Sequence, residues 1–326
     1  MNRRSFLQRA SAASMLPATR PLSALLKPLS SHPPIVDTHI HLYDPTRPGG
    51  VPWPEKDDTV LYRPALPSRY ASLAEPHGIV GAIAVECSPL PGDNQWLLQT
   101  AAGSPWIVGV IGDLDPALAE FPAQLEQLQK EPLFRGIRYG NLWGRSLTAG
   151  LQQPRFVENL RLLARTGLVL ESANPNPTLV RELLTTVHLV PELRIVLDHL
   201  PQAPPPQQAE ARQQYLADLR SLAQHRAFYV KGSEIPRRID GGIPLTLAPY
   251  RAWLDTIWEI VGEERMLFGS DWPNSDHMVP FDATLALAES YQQTRTAAAR
   301  AAYYAKNSIA AYDWKPRTSA QAALFA

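Results

Sequence analysis

Short apolar or β-branched runs alternate with segments of helical spacing along most of this chain. Eight runs read as strands: Ile35 to Leu42, Val80 to Cys87, Ile107 to Asp115, Phe134 to Gly140, Leu168 to Ala173, Leu193 to Leu200, Phe228 to Glu234 and Arg265 to Trp272. Their near-continuous apolar character fits strands buried on both faces. Between them, apolar positions recur at helical intervals in Asn94 to Ala102, Leu118 to Lys130, Pro154 to Thr166, Thr178 to His188, Gln207 to His225 and Pro249 to Val261, with a last segment at Thr294 to Ala310. Strand followed by helix, repeated eight times over about 290 residues, predicts an α/β fold with parallel strands, the (β/α)8 TIM barrel. A doubly wound open sheet stays open as the alternative, because periodicity does not register closure. The predicted organisation is a leader region at 1–30, a barrel domain at 31–316 and a C-terminal tail at 317–326.

Composition narrows the function classes. The chain has 326 residues, 45% hydrophobic and 19% charged, and its 31 basic and 31 acidic side chains cancel. No basic run offers nucleic acid or an anionic membrane surface an electrostatic reason to bind. The 32 prolines point to stiff connections. The single cysteine, Cys87, excludes a disulfide within the chain and a cysteine-built zinc site, and reads as a small buried residue at a strand end.

Near the start, Asn2-Arg3-Arg4-Ser5-Phe6-Leu7-Gln8 resembles a twin-arginine export signal, followed by the mildly apolar stretches Ala10 to Leu16 and Leu22 to Leu26. Neither is long or apolar enough to span a membrane. The expectation is a periplasmic or secreted protein that meets the twin-arginine export machinery. Asn2 before the pair and Gln8, where lysine is common, depart from the usual signal.

The chemistry gathers where the runs end, the barrel rim that carries active sites. The first ends Asp37-Thr38-His39-Ile40-His41. Strand alternation points His39 and His41 to one side, where two imidazoles can grip a metal ion or a substrate oxygen. Asp37 shares their parity and is expected to accept a proton from an imidazole. The sixth run supplies His199 and the eighth Asp271, so His39, His41, His199 and Asp271 are predicted to converge.

These segments carry a family resemblance. Asp37-Thr38-His39-Ile40-His41, Leu197-Asp198-His199-Leu200 and Phe268-Gly269-Ser270-Asp271-Trp272-Pro273 resemble the amidohydrolase-related family, and more narrowly its sugar-lactonase and 2-pyrone-4,6-dicarboxylate lactonase branch. Leu42-Tyr43-Asp44-Pro45, Pro52-Trp53-Pro54 and Tyr62-Arg63-Pro64 are similar to the long first loop of fuconolactonase-like members. The resemblance spans about residues 35–310, and its most specific motif is Gly-Ser-Asp-Trp-Pro. It implies a hydrolase, metal-assisted or metal-independent, in which the strand-eight aspartate activates water. Two-metal members carry a lysine after strand four and a histidine after strand five; Arg138 and Glu171 stand there instead. A guanidinium stays protonated and repels a cation, which argues against a two-metal centre. One divalent ion, zinc by its taste for nitrogen and carboxylate ligands, is expected on His39, His41, Asp271 and either Glu171 or His199, with metal-free catalysis as the alternative.

The implied reaction opens a lactone or related cyclic ester: Asp271 takes a proton from water, and His199, Arg138 or a metal steadies the charge gathering on the carbonyl oxygen. Arg138 or Lys231 is expected to hold a substrate carboxylate, and Trp53 or Trp143 to stack on a sugar face. Arg63, Tyr139 and Trp272 are expected around the mouth, with Glu86 orienting a ligand or pairing with a lysine. Two other readings are a metal-dependent non-oxidative decarboxylase of the same superfamily and an exported barrel that binds a ligand without turnover. The long Trp-bearing first loop also offers a contact for a homo-oligomer.

Overall fold

The computed structural model describes residues 33–326 apart from 91 and 174, so the proposed leader lies outside the described residues. Eight parallel strands run in chain order: β1 (Ile35–His41), β2 (Ile79–Val85), β3 (Ile107–Gly112), β4 (Phe134–Arg138), β5 (Val169–Ser172), β6 (Arg194–Leu197), β7 (Phe228–Lys231) and β8 (Met266–Leu267). Residues after β8 close the ring. The Thr38 N–H donates to Phe268 O at 3.0 Å, the His41 N–H to Trp272 O at 2.7 Å and the Asp271 N–H to His39 O at 2.9 Å. The sheet is therefore a barrel, and the open-sheet alternative falls.

Two apolar layers hold it together. Val36, Ile83, Val108, Val169, Val196 and Leu267 come from six strands and form one cluster, which is sterically available only inside the ring. Trp314, fully buried, and Tyr312 join that cluster from the C-terminal region. The larger layer lies between strands and helices. In α5 (Pro154–Thr166), Phe156, Val157, Leu160 and Leu163 form a buried stripe, Pro154 opens the first turn, and Gly167 ends the helix at φ 74°.

The strands match the predicted runs at their starts and stop short of them at their ends, so His199, Glu234 and Asp271 sit in the loops just beyond. Four helices were not among the predicted segments: α1 (Pro67–Ala74), α4 (Leu147–Leu151), α9 (Phe281–Gln292) and the short Ser319–Ala322. Several prolines open helices rather than stiffen loops, as in α1, α5 and α6 (Pro177–Leu189), where the missing N–H costs nothing. The last predicted helix is three pieces, Ala297–Ala301, a π-helical turn Ala302–Lys306 and Asn307–Tyr312.

Residues 317–326 are more than a tail. Ser319–Ala322 is a capped helical turn, and Arg317 donates to the carbonyls of Ala101, Ala102, Ser104 and Ile107. Gln321 donates to those of Val80 and Pro105.

Candidate active site

The strand ends bring His39, His41, His199 and Asp271 together. Asp271 Oδ1 lies 3.2 Å from His41 Nε2, 3.4 Å from His39 Nε2 and 3.9 Å from His199 Nε2. The Nε2 atoms of His39 and His41 are 3.3 Å apart. Each ring is held from behind. His41 Nδ1 meets Val85 O at 3.0 Å, His199 Nδ1 meets Ser233 Oγ at 2.8 Å, and His39 Nδ1 meets Lys231 Nζ at 3.0 Å. The second oxygen of Asp271 accepts from Asn274 Nδ2 at 2.7 Å, and the same amide reaches Glu234 Oε1 at 3.2 Å.

These groups open into a cavity of about 400 Å³ walled by His41, Trp53, Arg138, Trp143, His199, Glu234 and Asp271. Four of them, Trp143 (φ 55°), His199 (φ 54°), Glu234 (φ 52°) and Asp271 (φ 59°), have left-handed backbone. Non-glycine residues pay a conformational cost there, and such residues concentrate at functional sites. Left-handed turns directly after β6 and β8 swing His199 and Asp271 over the rim.

Burial and neighbouring charge set the protonation pattern. Burial, reinforced by Lys231 and His199, holds His39 well below the usual imidazole range. Burial also lowers His199, against the pull of Asp271 and Asp198. For Asp271, burial works upward but is outweighed by His199, His41 and His39, which hold it well below the usual carboxylate range. Glu234 is pushed the other way, by burial first and then by Asp271 beside it. One carboxyl of the pair is thus ionised while the other favours its proton.

The spacing suits an ion. Ligand atoms about 2.0–2.1 Å from a tetrahedral zinc lie about 3.3 Å from one another, close to the 3.2–3.4 Å separations among His39, His41 and Asp271. Asp271 Oδ1 is buried and accepts no conventional hydrogen bond among the described residues. His39, His41 and Asp271 could hold a metal; His39 with Asp198 and His199, and His199 with Glu234 and Asp271, form two further groups within reach of one centre.

Other sequence expectations need correction. Glu171 is outside those groups: its carboxylate pairs with Lys231 at 2.8 Å and accepts from the Tyr312 hydroxyl at 2.5 Å. Lys231 does not face the cavity. It is fully buried below the imidazoles between Glu171, Asp198 and His39, where no substrate carboxylate can reach it. Asp37 serves backbone, not imidazole, because a register shift between Asp37 and Ile40 breaks the strand alternation. It accepts from the N–H groups of His39 and Ser270 and from the Tyr70 hydroxyl, and burial pushes it up to about 6 against those bonds.

Glu86 pairs with an arginine rather than a lysine. Arg138 Nε lies 2.7 Å from Glu86 Oε1, Arg138 also donates to the Glu86 carbonyl at 2.6 Å, and the Trp143 indole donates to the same carboxylate at 3.2 Å. Trp53 stands at the mouth, 5.8 Å from the His41 ring. Trp272 is fully buried under Arg69 and against Tyr70. Tyr139 packs between Phe156 and Arg145, and Arg63 lies in an outer groove with Arg69 and Asp276. Sequence reasoning passed over Ser233, Asn274 and Asp198 as partners of the reacting groups. Asp198 stood beside His199 in a quoted motif; Ser233 and Asn274 carry no comparable signal.

Comparisons with known proteins agree with this geometry. A family model described as Amidohydrolase matches residues 36–314. An L-fucono-1,5-lactonase of Burkholderia ambifaria is 26% identical over 78% of this chain and 86% of its own. An amidohydrolase from Burkholderia multivorans with bound zinc superposes with a TM-score of 0.75 at 22% identity, covering 86% of this chain and all of that one. A probable 2-pyrone-4,6-dicarboxylic acid hydrolase from Acinetobacter baumannii, with citric acid bound, gives 0.67 at 18% identity over 86% and 99%. Both structural likenesses speak to the fold.

Proposed function

This chain belongs to the amidohydrolase family, and from that premise we propose that it is a lactonase whose substrate is an uncharged sugar lactone, opened by water that Asp271 activates. The observation that carries the substrate class is the charge on the cavity wall. Among the described lining residues, Arg138 is the one guanidinium or ammonium group, and Glu86 already neutralises it. A pyrone dicarboxylate or an aromatic acid would bring negative charge beside Asp271 with no unpaired cation to receive it. A neutral polyhydroxylated ring meets Trp53 and Trp143 with its apolar faces and Gln202, Asn274 and Glu234 with its hydroxyls. The lactonase from B. ambifaria supports the same class.

Asp271 enters the reaction ionised and takes a proton from water lodged among the three imidazoles. The resulting hydroxide adds to the ring carbonyl. His199 and Arg138 face the side on which the carbonyl oxygen gains charge. Asp271 then returns its proton to the departing ring oxygen. If one divalent ion binds among these imidazoles and carboxylates, with zinc suited to that donor chemistry, it would supply Lewis-acid assistance to the water and the carbonyl.

The test is proton release from a panel of aldonolactones and pyrone carboxylates, with and without added divalent metal. Turnover of at least one neutral lactone is expected, together with a drop of about 10²–10⁴-fold in kcat for Asp271→Asn. Inert lactones alongside release of carbon dioxide from a carboxylic acid would replace this reading with a decarboxylase.

A further inference from the structure

The cavity wall and the imidazole cluster account for most of the polar groups at the rim, but not for the ammonium beneath them. Lys231 is fully buried. Its Nζ has three neighbours able to accept: Glu171 Oε2 at 2.8 Å, Asp198 Oδ1 at 3.1 Å and His39 Nδ1 at 3.0 Å. An ammonium has three N–H groups and no lone pair, so it can only donate to His39.

That contact fixes a proton. With its Nδ1 lone pair facing Lys231, neutral His39 carries hydrogen on Nε2. His39 Nδ1 is also 3.6 Å from Asp198 Oδ1, too long for the alternative in which Nδ1 donates to that carboxylate. The neighbouring ring has the opposite tautomer. His41 Nδ1 faces the Val85 carbonyl, which only accepts, so Nδ1 carries a hydrogen, and it is Nε2 that presents the lone pair in the neutral ring. The two rings therefore fit together, with His39 Nε2–H between His41 Nε2 at 3.3 Å and Asp271 Oδ1 at 3.4 Å.

We infer that Lys231 is a positioning residue that fixes the hydrogen of His39 on Nε2, where it faces His41 Nε2, and so withholds His39 Nε2 from a metal ion. The strand-one pair is spaced as ligands but unequal in chemistry: His41 has a lone pair to give, and His39 gives one only if Lys231 is displaced. The usual neighbour of a ligating imidazole is an acceptor that takes its far N–H; here a donor occupies that place. The argument stands on the contacts of His39 and does not require the lactone reading.

Two measurements test it, neither using turnover. In metal-free wild-type protein labelled with ¹⁵N-histidine and assigned with His39→Gln, His39 is expected to show a protonated Nε2 and a bare Nδ1. The reverse pattern overturns the inference. In Lys231→Met the obstacle is gone and Asp198 can accept from Nδ1, so zinc affinity is expected to rise about 10–100-fold over wild type. Equal or weaker affinity in a folded variant also overturns it. Because Lys231→Met strands two buried carboxylates, Lys231→Met/Glu171→Gln is measured beside it, with the same rise expected.

Discussion

Asp271 and Cys87 line the cavity and Glu86 stands behind its Arg138, yet their surroundings give them different work. Glu86 is 3% exposed and its partner Arg138 7%, so their pairing is a buried one. Removing one member leaves an uncompensated charge, whereas replacing both with apolar groups removes the problem. Glu86→Ala is expected to cost about 3–5 kcal/mol in chemical denaturation, and Glu86→Ala/Arg138→Met to recover much of it. Equal losses in the single and double variants would mean that the pair is not the source. Cys87 is pushed above the usual thiol range, by burial first and by Glu86 next. A raised value means little thiolate at neutral pH, and only thiolate attacks. Native protein should alkylate slowly at pH 8, faster as pH rises without a plateau below about pH 10, and rapidly at pH 8 once unfolded. A reporter assay with iodoacetamide and intact-mass detection reads this directly.

At the scale of elements, legibility followed burial. The strands could be read because parallel strands covered on both faces are continuous apolar runs, with Ile107–Gly112 buried throughout. Helix α9 was harder, since Ala283, Ala286 and Ala288 blur its apolar stripe. The motifs located the reacting cluster but not its supports. Lysine at a strand end reads as a cation bound for solvent, and Lys231 is drawn inward by Glu171 and Asp198, which are distant in sequence. The left-handed backbone at His199, Glu234 and Asp271 is only faintly marked in the sequence, since Asp and His favour that region weakly and Glu does not, so the strands were read too long. Among the described glycines the tightest is Gly136, where an added Cβ would lie 2.3 Å from Val169 O. Backbone cannot yield as a flexible side chain does. Gly136→Ala is expected to destabilise by about 3 kcal/mol or more, with β4 and β5 losing amide-exchange protection first.

Over the whole molecule, one edge of the ring's base, at the starts of β2 and β3, is pinned by residues outside the family match. Arg317 and Gln321 together reach six backbone carbonyls around the starts of β2 and β3. Charge-assisted hydrogen bonds of this kind contribute about 1.5–3 kcal/mol each at most, and shared donors add less than their sum. Arg317→Ala should lower the melting temperature by several degrees while leaving KM for any accepted lactone unchanged, since the cavity is at the opposite rim. A shift in KM without a shift in melting would contradict that division of labour.

The groups nearest the substrate are made early and late in translation, at residues 39 and 41 and again at 271, but the hydroxyl that meets Glu171 arrives only with residue 312 and the indole that fills the ring's base with residue 314. A ribosome that has delivered all eight strands has thus produced a mouth without a bottom. The enzyme is finished from the rim downward, and a nascent chain stalled before Tyr312 would own every reacting atom yet lack the support that keeps Glu171, and through it Lys231 and His39, in place.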